Sequence, residues 1–145
     1  MTDTLNIEAT RTTPAVHVDK EKGMMKIEGR FIPSNFESAC LLLSPGFDII
    51  EGSQVPFRVD VLLSYLNKLA KRSLYDFFKR LNKMYENGRE ITIHWFFEAD
   101  DEDMLDEGKE FTEFLKLPFQ FIEIDMKDNV TLENAPCDEK TSVII

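Results

Sequence analysis

The strongest constraint on the fold is an alternation of strand-like and helix-like segments between residues 56 and 111. The run from Pro56 to Leu66 is rich in β-branched and large apolar residues, which predicts a strand that is buried on both faces. From Lys68 to Glu86, apolar residues recur at three- and four-residue steps, which predicts a helix with one buried stripe. A second apolar run, Glu90 to Phe97, predicts another central strand. The segment therefore favours an α/β fold with parallel crossovers.

The N-terminal half predicts a hairpin followed by a short helix. Apolar residues on either side of the turn at 19–23 are typical of an antiparallel hairpin. The sequence Pro33-Ser34-Asn35 carries helix-start chemistry for a first helix. We expect Pro45-Gly46 to end that helix early, because proline lacks an N–H donor, with a separate helical turn after it.

A third helix that opens at Asp100 and a short strand over Pro118 to Ile124 complete the predicted elements. Together they predict one α/β domain over residues 14–125, with a mixed, mostly parallel sheet, an N-terminal antiparallel hairpin and about three helices. The 145 residues suffice for one core. We expect residues 1–13 to be a flexible N-terminus. Residues 126–145 read as a polar, loosely attached tail whose last three apolar residues are able to dock.

Composition excludes several functional classes. The chain has 17 basic and 27 acidic residues, a formal net charge of −10. This argues against a general nucleic-acid binder or a binder of anionic membranes, and it favours a basic partner surface. No apolar run approaches the ~20 residues of a membrane span, and Cys40 and Cys137 form no disulfide framework or metal-ligand spacing. We therefore expect a cytoplasmic protein without a metal or other cofactor.

Candidate catalytic residues do not converge. His17 and His94 fall on separate predicted strands without a hydroxyl or thiol partner, so a catalytic pair is poorly supported. The run Glu98 to Glu110 holds eight carboxylates, but their spacing is not that of a calcium-binding loop, and acids in a first helical turn complement the helix dipole. Since the chain also lacks a phosphate loop and a nucleophile elbow, it is expected to act by binding.

The second predicted helix concentrates positive charge on an acidic protein. Six basic residues against two acidic ones leave a charge of +4 on this element. One interpretation is a docking face for an acidic partner; the other is an ordinary solvated helix surface. The concentration on one helix favours docking slightly. The basic residues are Lys68, Lys71, Arg72, Lys79, Arg80 and Lys83.

The junction between the first central strand and this helix is marked by Asn67. Its side chain is suited to cap the helix, because an asparagine oxygen accepts a hydrogen bond from a free N–H group of the first turn. In many signalling folds a phosphorylatable hydroxyl follows such a cap, where backbone donors and the helix dipole favour added negative charge. Here the position holds Lys68.

With these residues in place, the chain resembles the SiaC family of bacterial regulatory phosphoproteins, whose members look like single STAS-type (SpoIIAA-like) domains. The resemblance covers about Thr12 to Phe119. It rests on Thr13-Pro14-Ala15, Gly29-Arg30-Phe31-Ile32-Pro33, Tyr65-Leu66-Asn67, His94-Trp95-Phe96, Asp100-Asp101-Glu102-Asp103-Met104 and Glu107-Gly108-Lys109-Glu110-Phe111.

The resemblance implies a regulator in a partner-switching pathway. Such a protein is phosphorylated by a kinase, dephosphorylated by a phosphatase, and in one state binds and activates a diguanylate cyclase, which controls biofilm formation or aggregation. The family carries its phosphoacceptor threonine after the junction asparagine, where this chain has Lys68. Ser73 is the nearest substitute hydroxyl, although it lies more than a turn into the helix.

The sequence thus predicts a non-enzymatic regulator that binds a signalling partner without phosphorylation at the junction. The predicted partner-binding residues are Asn67, Lys68, Lys71, Arg72 and Lys79. A first alternative is a STAS-like domain that carries a small apolar ligand between the Trp95 strand and the helices. An enzyme with an unrecognised site is the weakest alternative.

Overall fold

The computed structural model describes residues 4–125, which form one six-stranded sheet and three helices. The strands lie side by side in chain order. The first three strands pair antiparallel with one another, and the third to the sixth pair parallel, so the third strand belongs to both sets. The predicted mixed sheet with an antiparallel N-terminal hairpin and three helices is confirmed. The elements are β1 (Thr4–Ile7), β2 (Ala15–Asp19), β3 (Met24–Phe31), α1 (Phe36–Glu51), β4 (Phe57–Leu66), α2 (Lys68–Glu86), β5 (Ile91–Glu98), α3 (Glu102–Phe111), a 3-10 turn (Thr112–Phe114) and β6 (Phe119–Ile124).

The three helices pack against the same face of the sheet. In α1, Gly46 lies against Met25 of β3. In α2, the ring of Phe78 lies 5.2 Å from that of Phe119 in β6, and α3 covers Trp95 of β5. Because side chains alternate along a strand, one parity of each strand faces this core and the other faces away from the helices.

The prediction that Pro45-Gly46 ends the first helix is wrong, because α1 runs unbroken through both residues. Proline loses only one hydrogen bond, the one to the carbonyl of Leu41, and the side chain of Leu41 is 64% exposed, so water is available on that side of the helix. Gly46 is required for packing, since a Cβ there would lie 2.6 Å from Cε of Met25. Close helix–sheet contact therefore outweighs the local breaking tendency.

The segment expected to be a flexible N-terminus contains a strand. β1 pairs antiparallel with β2, from Thr4 opposite Asp19 to Ile7 opposite Val16. Leu5 and Ile7 pack against the core, and the alternation of these two residues with polar neighbours is the sequence signal for the strand. At least residues 4–7 of this segment are therefore part of the sheet. The predicted tail at 126–145, with Cys137, lies outside the described residues.

Candidate partner-binding groove

The junction asparagine caps α2 as predicted. The Asn67 side-chain oxygen accepts a hydrogen bond from the backbone N–H of Ala70 at 2.9 Å, and its side-chain nitrogen donates to the carbonyl of Pro33 at 3.0 Å. Its backbone N–H donates to the carbonyl of Phe31 at 3.2 Å. Asn67 therefore fixes both the start of α2 and the position of that start relative to the end of β3.

Beyond this cap, α2 and α3 border an open groove of about 690 Å³, here called the α2–α3 groove. It brings together four of the five predicted partner-binding residues, the exception being Asn67, which anchors its rim. The groove is lined by Phe36, Lys68, Lys71, Arg72, Tyr75, Asp76, Lys79, Glu110, Phe111 and Phe114. Basic and aromatic side chains therefore share one surface.

Lys71 is committed to a contact within the chain. Its ammonium lies 2.5 Å from a carboxylate oxygen of Glu107 and 2.5 Å from one of Glu110, both on α3. The hydrogen bonds to Glu107 and then Glu110 raise the pKa of Lys71. Lys71 thus ties α2 to α3, which the sequence could not indicate, because the acidic residues follow it by more than thirty positions.

Two other groove cations lie over aromatic rings. The guanidinium carbon of Arg72 is 4.8 Å from the ring centroid of Phe36, and the ammonium of Lys79 is 5.4 Å from that of Tyr75. Such contacts hold a cation against an apolar surface while its polar end stays hydrated. Lys68 is exposed at the first position of α2. The groove therefore presents Lys68, Arg72 and Lys79 to solvent.

Phe114 is a residue of the groove that sequence analysis did not single out. Its position three residues after Phe111 places both on one face of an extended helix, so the sequence pattern counts it as core. Instead α3 ends at Phe111, and the following 3-10 turn leaves the Phe114 side chain 75% exposed at the groove. A phenylalanine this exposed is an apolar anchor available to a partner.

The structure gives Ser73 a buried position. Ser73 is only 1% exposed, and its hydroxyl donates a hydrogen bond to the carbonyl of Ala70 at 2.8 Å. A kinase could reach this hydroxyl only if the first turns of α2 left the core. The packing therefore gives no support to Ser73 as a substitute phosphoacceptor.

The two histidines are far apart in role and surroundings. His17 lies at the sheet's antiparallel end, with Nδ1 2.7 Å from the side-chain oxygen of Asn6. His94 is in β5 on the face away from the helices, with Nδ1 3.4 Å from a carboxylate oxygen of Asp60. Burial, assisted by the nearby charge of Arg58, lowers the pKa of His94 to about 4. A buried neutral imidazole beside an ion pair accounts for the geometry without catalysis.

Asp60 is the buried partner in this cluster. Burial raises its pKa, opposed by the charge and hydrogen bond of Arg58. The guanidinium donates to Asp60 at 3.0 Å from a terminal nitrogen, while Arg58 Nε lies 3.0 Å from the other carboxylate oxygen without hydrogen-bond geometry. Among residues 4–125, no three potential ligand side chains are grouped to hold a metal ion.

The place proposed for an apolar ligand is filled by protein. Trp95 is fully buried, its indole N–H donates to the carbonyl of Met104 at 2.9 Å, and its ring packs against Gly108 and Phe111. The space between the Trp95 strand and α3 is therefore occupied, and this packing does not favour a ligand carrier. None of the helices in residues 4–125 combines the length and apolarity that a membrane crossing requires.

Fold and groove together define a small α/β domain with a mixed sheet, helices on one face and a basic, aromatic-lined surface beside a helix start. A model of the SiaC family of regulatory phosphoproteins matches residues 7–124, and the chain belongs to that family. The predicted family resemblance is thus confirmed.

Similar proteins come from Pseudomonas aeruginosa. An uncharacterized protein of strain UCBPP-PA14 is 26% identical over 116 residues, which cover 79% of this chain and 92% of the relative. Apo-SiaC is similar with a TM-score of 0.72 and 25% identity over 83% of this chain and 98% of that one. SiaC solved as the activator in complex with the diguanylate cyclase SiaD has a TM-score of 0.75 and 24% identity, over 82% of this chain and 98% of that one.

Proposed function

We propose that this chain is a non-enzymatic signalling regulator that binds a diguanylate cyclase through the α2–α3 groove, and so acts on c-di-GMP control of biofilm formation or aggregation. The observation that carries the proposal is the convergence of Lys68, Arg72 and Lys79 with the exposed ring of Phe114 on one groove. SiaC is the activator in the solved complex with SiaD, which supports a cyclase as partner. We further propose that the protein acts in the cytoplasm.

The chemistry of the groove indicates what a partner surface should contain. Aromatic residues and arginine are enriched at the centres of protein interfaces, and lysine at an interface edge steers an acidic partner toward it. The rest of this acidic chain repels acidic proteins, so a local basic rim would direct them to the groove. We therefore expect a segment with an apolar residue to contact Phe114 and carboxylates to meet the rim.

We propose further that binding does not depend on phosphorylation at the junction. Lys68 has no hydroxyl to accept a phosphate, and Ser73 is buried. Lys71 already joins α2 to α3 through Glu107 and Glu110. A kinase and a phosphatase, expected from the family, would then act on the pathway through other members.

The test measures binding of purified diguanylate cyclases from the chain's own organism, and of SiaD from P. aeruginosa, to the immobilised full chain by biolayer interferometry. For any cyclase that binds, the double variant Lys68→Glu with Lys79→Glu should weaken the affinity by about tenfold or more. This corresponds to a loss of ~1.4 kcal/mol of binding free energy. Phe114→Ser should weaken it comparably. Lys71 is left intact, because its replacement would also break the contact between α2 and α3.

Matched controls separate the groove from general effects. Lys20→Glu with Lys22→Glu makes the same charge change in the turn between β2 and β3. Leu41→Ser removes another exposed apolar side chain, on α1, outside the groove lining. Equal losses in test and control variants would contradict the groove as the binding surface, and no binding of any cyclase would contradict the cyclase as partner.

A further inference from the structure

The side chain of Phe114 lies on a short turn that is held against α2 at both ends. Before the turn, the ammonium of Lys71 pairs with two carboxylates of α3. After it, the side-chain oxygen of Asn82 accepts hydrogen bonds from the backbone N–H groups of Lys116 and Leu117, at 2.9 and 2.8 Å. Two polar contacts with one helix therefore enclose the segment that carries Phe114.

The order of these contacts shows that α3 and the turn run alongside α2 in the same direction. The ring of Tyr75, one helical turn after Lys71, is stacked on that of Phe111 with the ring centroids 6.5 Å apart. From Lys71 to Asn82, α2 rises by about 16 Å. Phe114 follows Phe111 closely in the chain, so its turn lies between the two polar contacts.

The turn is short and exposed, so its own packing holds it weakly. All three residues of Thr112–Phe114 are at least partly exposed, and Phe114 is 75% exposed. Leu115, which follows, packs only partly against the core. A single 3-10 turn also has poorer hydrogen-bond geometry than an α-helix. The position of the turn relative to α2 therefore depends on the contacts of Lys71 and Asn82.

We propose that Lys71 and Asn82 are positioning residues for the partner, which hold Phe114 where the cyclase contacts it. The inference rests on the proposed function, because the α2–α3 groove must be the binding surface. The polar atoms of both residues are engaged within the chain, the Lys71 ammonium with α3 and the Asn82 oxygen with the backbone after the turn. An anchor that is fixed before the partner arrives loses less conformational freedom on binding, which strengthens the complex.

The two positions allow matched substitutions that remove or keep each contact. Lys71→Met removes the ammonium and keeps much of the apolar stem, whereas Lys71→Arg keeps a cation with several donors for the two carboxylates. Asn82→Ala removes the acceptor, and Asn82→Asp keeps it. Lys83→Met is the control for charge, since Lys83 is an exposed lysine of α2 outside the groove lining.

The first readout is the affinity of the diguanylate cyclases used to test the groove, measured by biolayer interferometry on the immobilised full chain in double-mutant cycles with Phe114→Ser. Lys71→Met and Asn82→Ala should each weaken binding by about fivefold. In the Phe114→Ser background each should weaken it by less than about twofold, because no anchor is left to position. Lys71→Arg, Asn82→Asp and Lys83→Met should stay within about twofold of the unmodified chain.

The second readout needs no cyclase. Amide hydrogen exchange over residues 112–117 of the full chain should become about tenfold faster in Lys71→Met and Asn82→Ala, because the turn opens more often, and should be unchanged in the three other variants. If Lys71→Met failed to fold, Glu110→Gln would replace it with the same expectations. Glu110 supplies one of the two carboxylates, and its side chain is 57% exposed.

The outcomes separate the positioning role from the proposed function of the groove. Unchanged hydrogen exchange would overturn the positioning role whether or not a cyclase binds. Losses of affinity that are equal with and without the Phe114 ring would also overturn it, because Lys71 and Asn82 would then act independently of the anchor. Faster exchange in a chain that binds no cyclase would contradict the proposed function of the groove, and with it the role of these residues toward the cyclase.

Discussion

Gly108 is a helix position where a single added methyl group should cost stability. It lies in α3 directly over Trp95, and a Cβ there would be 2.6 Å from both Cδ1 and Nε1 of the indole. The ring cannot move aside easily, since it is fully buried and its N–H is held by the carbonyl of Met104 at 2.9 Å. Gly108→Ala must therefore push α3 away from the sheet or strain the ring.

The expected net effect of Gly108→Ala is a loss of about 1–2 kcal/mol. Overpacking of a close-packed core costs ~1–3 kcal/mol. Alanine in a helix interior returns up to ~1 kcal/mol relative to glycine, which offsets part of that cost. Urea unfolding of the full chain measures the difference, and fluorescence follows it directly, because Trp95 is the single tryptophan of the protein.

Gly52→Ala is the matched control for this prediction. Gly52 follows α1 with φ −83°, a conformation open to any residue, and the nearest atom to an added Cβ lies at an ordinary 3.5 Å. Its stability should stay within ~0.5 kcal/mol of the unmodified chain or rise slightly. If Gly108→Ala were as stable as the unmodified protein, the close approach of α3 to Trp95 would not constrain the fold as argued.

Three further predictions follow from the junction and from the buried polar groups. Asn67→Ala should lower the free energy of unfolding by about 1–2 kcal/mol, because the α2 cap is lost. Asn67→Asp should lower it by less, since aspartate keeps the capping acceptor and loses only the donor to Pro33. Equal losses for the two variants in urea unfolding would contradict the cap. Ser73→Glu, which mimics phosphoserine, should cost ~3–5 kcal/mol or prevent folding, because it buries an unpaired charge, whereas stability close to that of the unmodified chain would reopen Ser73 to phosphorylation. His94→Gln should remove ~1–3 kcal/mol of the stability loss seen on acidification, with His17→Gln as control.

The sign of the His94 effect follows from its lowered pKa. The folded protein protonates His94 at about 4 and the unfolded chain at 6.5, so between these values the unfolded state binds more protons. Stability is complete above 6.5 and falls as the pH falls toward 4. The expected effect of ~1–3 kcal/mol is smaller than the full pKa difference implies, because the His94 side chain is still 18% exposed and solvent screens its charge. Asp60, whose pKa is raised, acts in the opposite direction. A stability profile identical in His94→Gln and the unmodified chain would refute this account.

Local sequence was sufficient to predict an element wherever its residues are stable in only one kind of secondary structure. The strands around residues 57–66 and 91–98 and the α2 stripe were predicted because burial imposes periods of two and 3.6 on apolar residues. The Asn67 cap was predicted because a free helix N–H needs an acceptor close by in sequence. At Pro45 the local tendency to end a helix was outweighed by the close contact of Gly46 with Met25, which no local pattern shows.

The sequence by itself therefore determined the α/β class, the family, the order of the main elements and the basic character of α2. Only the tertiary structure decided the surroundings of individual residues at the groove. Lys71 is paired with Glu107 and Glu110, the Phe114 side chain is exposed at the end of α3, and Ser73 is buried in the core. The physical reason is the range of the interactions. Periodicity and capping act within one or two turns of chain, whereas ion pairs, exposure and burial depend on which distant segments the fold brings together.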